Sequence, residues 1–242
     1  MEKYLAVITA RGGSKRIPHK NIRQFFGKPV LAYSIEAAQK AGIFEEIMVS
    51  TEDEEIAKTA LAYGAAVPFL RSQKNADDYA TTEDVILEVI HEYEKIGKIF
   101  DYVVCLYPTA PFLKPEWLCR GAKLVAQPDV GMVMTMVRFS FPPQRCVVKE
   151  TDSAFVKYRQ PEYMNARSQD LEPFYRDGGQ FYCYDVKEFL KRNGQFADGI
   201  AAIELPESQV QDIDTPEDWK IAEMKYQMLQ ENALQAEEEK RI

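Results

Sequence analysis

From residue 4 to residue 137 the chain alternates between two hydrophobic periods, and few folds tolerate that alternation. "YLAVITA" (4–10), "EIMVST" (46–51), "DYVVCLYP" (101–108) and "VGMVMTMV" (130–137) are short, apolar and partly β-branched, and read as buried strands. Between them, "PVLAYSIEAAQKAG" (29–42), "DEEIAKTALAYG" (53–64), "TTEDVILEVIHEYEKIG" (81–97) and "KPEWLCRGAKLVAQ" (114–127) carry helical spacing. The first two helices stop at Gly42 and Gly64, and the last opens with a proline where helices tolerate one. The alternation predicts an α/β fold with a mostly parallel sheet. In such sheets ligands bind beyond the carboxyl ends of the strands.

The rhythm breaks near residue 138. The stretch 138–177 has four prolines, no long helical period, and many aromatics and arginines, and it reads as an inserted arm with a hairpin near 145–159. Strand and helix return at "GQFYCYDV" (179–186), "GIAAIEL" (199–205) and a helix from about 216. The expected organisation is a single domain over 1–230 carrying the arm, then a charged tail over 231–242. Composition limits the partners. A net charge of −8 argues against a general nucleic-acid surface, and no apolar run approaches a membrane span. The start of the chain lacks the pattern of a signal peptide. Four widely spaced cysteines (105, 119, 146 and 183) suggest neither disulfides nor a zinc site. A cytoplasmic protein is expected.

An anionic ligand would then need a local basic pocket. "ITARGGSKRIPHKN" (8–21) supplies one, with two glycines and Arg11, Lys15, Arg16, His19 and Lys20 directly after the first strand. It is neither a Walker A loop nor a dinucleotide fingerprint. The physics of phosphate binding still holds: Gly12 and Gly13 let backbone amides approach an anion, and Arg11, Lys15 and Lys20 add charged hydrogen bonds. The plain alternative is an exposed glycine turn with solvated cations.

"QVQDIDTPEDW" (209–219) places Asp212 and Asp214 on either side of Ile213, so in extended backbone both carboxylates share a face. Two unpaired carboxylates on one face repel, and a Mg²⁺ ion completed by nucleotide oxygens relieves that repulsion. Thr215, Pro216 and Asp218 form a capping-box start that needs no ligand, with Asp214 as an alternative cap. The same logic makes Thr51 with Glu54 a capping box in "STEDEE" (50–55).

"ARGGSKRIPHKN", "LRSQKNADDYATTEDV", "YPTAPF" and "QDIDTPEDW", in that order, resemble the cytidylyltransferases that activate sialic-type sugar acids with CTP, over nearly the whole chain. "VPFLRS", "FSFPPQR" and "RSQDLEP" point, within that family, to members acting on pseudaminic acid. The resemblance implies a three-layer fold of the nucleotide-diphospho-sugar transferase type, Mg²⁺ dependence and a homodimer made by the arm. By position it assigns Arg11, Gly12, Gly13, Ser14, Lys15, Lys20 and Asn21 to the nucleotide loop, Arg71 and Thr82 to cytidine contacts, and Asp212 and Asp214 to the metal. Arg176 matches an arginine near the sugar pocket, and Tyr182 lies on a strand lining it.

Family members acting on sialic acid usually carry glutamine where this chain has Tyr107. A phenol offers one hydroxyl and an apolar ring, which suits a less hydroxylated sugar such as pseudaminic acid, a tetradeoxy acid with acylamido groups. The implied reaction is in-line attack of the sugar's anomeric hydroxyl on the α-phosphorus of CTP. Arg11 and Lys15 would hold the phosphates, with Asp214 or a metal-bound water as proton acceptor. Arg145, Arg167 and Arg176 are candidates for the sugar carboxylate, each with a surface ion pair as its plain alternative. The rival readings are a cytidylyltransferase for N-acetylneuraminic, legionaminic or deoxyoctulosonic acid, or a non-catalytic nucleotide-binding scaffold.

Overall fold

A computed structural model describes residues 2–239. The chain forms β1 (Tyr4–Thr9), two short strands β2 (Gln24–Phe25) and β3 (Lys28–Pro29), α1 (Val30–Ala41), β4 (Glu46–Ser50), α2 (Glu54–Ala62), α3 (Thr82–Lys95) and β5 (Tyr102–Leu106). It continues with α4 (Pro115–Val125), β6 (Met132–Arg138), β7 (Val147–Lys149), β8 (Val156–Tyr158), β9 (Tyr175–Asp185), α5 (Val186–Lys191), β10 (Ile200–Glu204) and α6 (Pro216–Glu239). The expected α/β fold and mostly parallel sheet are therefore observed. None of the described helices is long and apolar enough to cross a membrane.

The main sheet has six strands in the order β10-β6-β9-β5-β1-β4. All are parallel except β9, which runs antiparallel to both β5 and β6. β1 is buried on both faces, as its unbroken apolar run requires. Ala6 and Ile8 point to one layer with Leu31, Ile35, Ile56 and Leu118, from α1, α2 and α4. Leu5 and Val7 point to the other with Ile86, Val89, Tyr93 and Phe189, from α3 and α5. The chain leaves β1 toward β4 on one side and returns to β5 on the other. That reversal opens a crevice at the carboxyl end of β1, where an α/β sheet binds its ligand.

A smaller apolar cluster lies outside the sheet. Ile17, Phe25, Val30, Tyr33, Phe112, Ile213 and Trp219 pack together. The Arg23 guanidinium caps the Trp219 ring at 4.6 Å from its centroid. Ile17 comes from the basic loop and Ile213 from the acidic stretch, so burying these two side chains brings distant segments of the chain side by side.

Most element boundaries follow local chemistry. α1 ends at Gly42, whose φ of 64° is a left-handed stop. Thr215 and Asp218 form the expected box at α6: the Asp218 amide donates to Thr215 Oγ1 at 3.2 Å, and the Thr215 amide donates to Asp218 Oδ2 at 2.7 Å. Asp214 is not the cap. The expected Thr51–Glu54 box is not formed. Asp53 caps α2, accepting from the amides of Glu55 and Ile56 at 2.8 and 3.0 Å. Thr51 is fully buried at the end of β4 and accepts from the Asp53 amide instead. Two caps were available, and tertiary burial of Thr51 decided between them.

The arm runs between β6 and β9. β7 and β8 pair in it as a hairpin, Val147 opposite Tyr158, inside the expected range. As far as Glu239, the charged C-terminal segment continues α6; residues 240–242 lie outside the described residues.

Candidate active site

Beyond the ends of β1, β4 and β5 lies a cleft of about 520 Å³, lined by Arg11, Ser14, Lys15, Arg16, Lys20, Asn21, Arg71, Asn75, Asp77, Asp78, Thr82, Tyr107, Asp212 and Asp214, among others. The basic loop and the acidic stretch meet there. Lys20 Nζ donates to the carbonyl of Ile213 at 2.6 Å and lies 3.3 Å from Asp214 Oδ1. Arg16 reaches Asp214 Oδ2 at 2.7 Å.

The loop's amides are only partly engaged inside the protein, and that of Gly13 has no hydrogen-bond partner among the described residues. The Gly12 amide donates to Glu52 Oε1 at 2.7 Å, and the Ser14 amide donates to the Gly12 carbonyl at 2.9 Å. These two donors are engaged inside the protein, which leaves the Gly13 amide and the cations as the loop's offering to an anion. Gly12 is a packing glycine: a Cβ there would lie 2.5 Å from Asp53 Oδ2, against the carboxylate that caps α2. Gly13 has open space at the same point. Gly12→Ala is expected to cost about 1–3 kcal/mol of stability, while Gly13→Ala leaves the melting temperature unchanged. Thermal unfolding of the two variants checks this; equal melting temperatures would contradict it.

Two of the cations already share one carboxylate. Asp78, from the loop before α3, accepts from Arg11 at 2.7 Å and from Lys15. Lys15 and Arg11 hold its carboxyl below the usual carboxylate range. Asp78 and Arg16 are site residues that motif comparison did not single out, although "NADDYATTEDV" contains the first and the basic loop the second. The signal was an unassigned charge beside an assigned one.

Asn21 holds the loop in place, donating Nδ2 to the Arg11 carbonyl at 2.8 Å. Its Oδ1 is buried without a partner among the described residues. Arg71 is 6% exposed and clamps β4 through Ser50, with Nε 3.0 Å from Ser50 Oγ. Burial works against its charge, and the nearby carboxylates of Glu52 and Glu88 support it. His19 sits at the surface 3.8 Å from Glu55 and lines no part of the cleft.

The Asp212 carboxylate accepts no hydrogen bond from the described residues, whereas that of Asp214 is paired with Arg16 and Lys20. The Asp212 carboxyl is held above the usual range, first by partial desolvation in the cleft although the residue as a whole is exposed, then by the charge of Asp214. Two hard oxygen donors that repel each other, one of them paired with Arg16 and Lys20, fit a small divalent cation. The described residues contain no group of three or more His, Cys, Asp or Glu able to hold a metal. Mg²⁺ takes one or two protein carboxylates and completes its shell with phosphate and water.

The expected sugar residues are not all brought together. Tyr107 lines the cleft, and Tyr182 stands behind it, 7% exposed, with ring centroids 5.6 Å apart. Arg145, Arg167 and Arg176 do not line this cleft. Arg145 lies over the Phe141 ring in the arm, Arg167 is paired with Asp170 at 2.7 Å, and Arg176 bonds only the Asp177 carbonyl among the described residues. Within one chain, the cleft cations are those of the basic loop and Arg71.

A cationic cleft at the switch point of a mostly parallel sheet, faced by paired aspartates, defines a nucleotide-binding α/β protein. The chain belongs to the cytidylyltransferase family, whose model matches residues 5–240. It is 38% identical, over 96% of its length and 100% of the relative's, to a pseudaminic acid cytidylyltransferase of Campylobacter jejuni. It is 35% identical to a CMP-N,N'-diacetyllegionaminic acid synthase of Legionella pneumophila, covering 95% of this chain and 98% of that one. Among solved structures, a CMP:2-keto-3-deoxy-manno-octonic acid synthetase complexed with CTP superposes with a TM-score of 0.68 at 21% identity, over 95% of this chain and 100% of that one. That likeness supports the three-layer fold of the nucleotide-diphospho-sugar transferase type.

Proposed function

We propose that the protein activates a nonulosonic acid, pseudaminic acid, by moving CMP from CTP to its anomeric hydroxyl with release of pyrophosphate. The observation that carries this reading is the junction of Lys20 with Ile213 and Asp214, which joins a phosphate-type loop to a carboxylate pair in one cleft. Family membership and similarity to a pseudaminic acid cytidylyltransferase support the reaction class. Tyr107, an apolar ring with one hydroxyl on the cleft wall, supports the choice of a deoxygenated sugar.

In this reading Arg11 and Lys15 exchange Asp78 for the triphosphate and stabilise charge on the departing pyrophosphate. Lys20 orients Asp214, and Asn21 holds the loop through the Arg11 carbonyl. Arg71 and Thr82 form the base-side wall with Ser14 nearby. Asp212 and Asp214 would hold Mg²⁺, which neutralises phosphate charge when bound. The substrates, CTP and a small sugar acid, suit a cytoplasmic enzyme.

The arm supports a homodimer. Phe141 and Phe155 are 70% and 76% exposed, with Val147, Val156 and Tyr158 exposed beside them, an apolar surface that a monomer in water leaves uncovered. Arg145 and Arg167 on this arm, outside the cleft of their own chain, are the candidates a second copy would bring for the sugar carboxylate. A dimeric mass by light scattering at micromolar concentration is expected, and Phe155→Glu with Val156→Lys should yield a monomer. A monomeric wild type would overturn the dimer.

The test of function is pyrophosphate release with CTP, Mg²⁺ and purified sugar acids. Turnover of pseudaminic acid supports the reading. Turnover of N-acetylneuraminic, legionaminic or deoxyoctulosonic acid alone would move the substrate to that acid. CTP binding without turnover of any acid would leave a nucleotide-binding scaffold.

A further inference from the structure

Asp214 is the crowded member of the carboxylate pair. Its Oδ1 lies 3.3 Å from Lys20 Nζ, and its Oδ2 accepts from Arg16 at 2.7 Å. Both oxygens face a cation, so one contact must be given up before Asp214 can ligate a metal.

The two cations are not equally free to leave. The Lys20 side chain is 19% exposed and also donates to the Ile213 carbonyl at 2.6 Å. The Arg16 side chain is 63% exposed and makes no other hydrogen bond among the described residues. Ile17 and Ile213, each next in sequence to a member of the Arg16–Asp214 pair, are buried in one apolar cluster. The backbone is therefore pinned on both sides of the contact, and rotation of an exposed side chain is enough to release it. An exposed ion pair contributes little, so its release costs little.

The released guanidinium has a second partner within the cleft. Arg16 lines the same wall set as Arg11 and Lys15, the cations facing the phosphate position. Its planar fork matches two phosphate oxygens at once, which a point charge does not.

We propose that Arg16 is a phosphate-binding residue held in reserve: in the free protein it occupies Asp214, it cedes Oδ2 to the divalent cation, and it then donates to the triphosphate. This rests on the reading that CTP and a metal occupy this cleft. The exchange couples the two sites. Metal binding breaks the Arg16–Asp214 pair, so a nucleotide arriving afterwards gains Arg16 without breaking it. By linkage, the strength of that one pair sets both effects.

The experiment uses Mn²⁺ as the metal probe, with free ion counted by electron paramagnetic resonance and no nucleotide present. Arg16→Met should bind Mn²⁺ about three- to fivefold more tightly than the wild type, the upper range for an exposed ion pair. Lys15→Met removes a charge from the same cleft without touching Asp214 and should stay within about twofold of the wild type. Arg16 is exposed, so its variant should keep the fold. CTP binding without sugar acid, read by calorimetry, should weaken in Arg16→Met by about tenfold or more when Mg²⁺ is present. In EDTA the loss should be smaller, by the same factor that separates the Mn²⁺ affinities.

Unchanged or weaker Mn²⁺ binding in Arg16→Met, equal tightening in Lys15→Met, or an equal loss of CTP affinity with and without Mg²⁺ would overturn the inference. If the wild type binds CTP but no Mn²⁺, the exchange and the metal assignment fall together while the nucleotide reading stands. If the Arg16 effects appear and no sugar acid is turned over, the activity reading falls and the exchange stands.

Discussion

Asp212→Asn is expected to cut turnover with CTP by about 100-fold or more, close to 2.7 kcal/mol of transition-state stabilisation, with the fold intact. The two outcomes separate because of what surrounds the side chain. The Asp212 carboxylate accepts no hydrogen bond from the described residues and is repelled by Asp214, so its neutral isostere gives up only a longer-range attraction to Lys20 and Arg16. What it gives up is one of two oxygens for a cation. Pyrophosphate release across a magnesium titration, with thermal unfolding alongside, checks both halves. Normal turnover at saturating magnesium would remove the metal assignment.

Arg11→Met and Lys15→Met should each raise KM for CTP by about 10- to 100-fold, the range for losing a hydrogen bond to a charged group. Asp78→Asn should act in the opposite direction, lowering that KM a few fold, because the triphosphate no longer displaces a resident carboxylate. Its effect on stability should be small, since Asp78 is paired at an exposed site. Steady-state kinetics at fixed ionic strength reads all three. If Asp78→Asn weakens CTP as Arg11→Met does, Asp78 belongs to the binding surface and is not a competitor for it.

The elements of the sheet were legible because each strand and helix carries its own period, and burial on both faces of β1 reinforced the pattern. The insertion of β9 between β5 and β6 was not legible, since an apolar strand looks alike in either direction. At the site, residue types pointed correctly to a charged cleft, and contacts decided their use. The glycine pair promised amide donors, yet Glu52 occupies the Gly12 amide, an acid forty residues away that no local rule pairs with it. Tyr182 was expected to line a pocket and supports the residue that does.

The direction of β9 also makes the arm separable. β6 ends and β9 begins at the same edge, and Arg138 is already paired with Tyr175. Topologically the intervening segment is the tip of a hairpin whose two legs are held by the sheet. Its length can therefore change, or a tight turn can replace it, without altering any crossover or the order of a single strand. A change at that tip leaves the cleft beyond the ends of β1, β4 and β5 as it is.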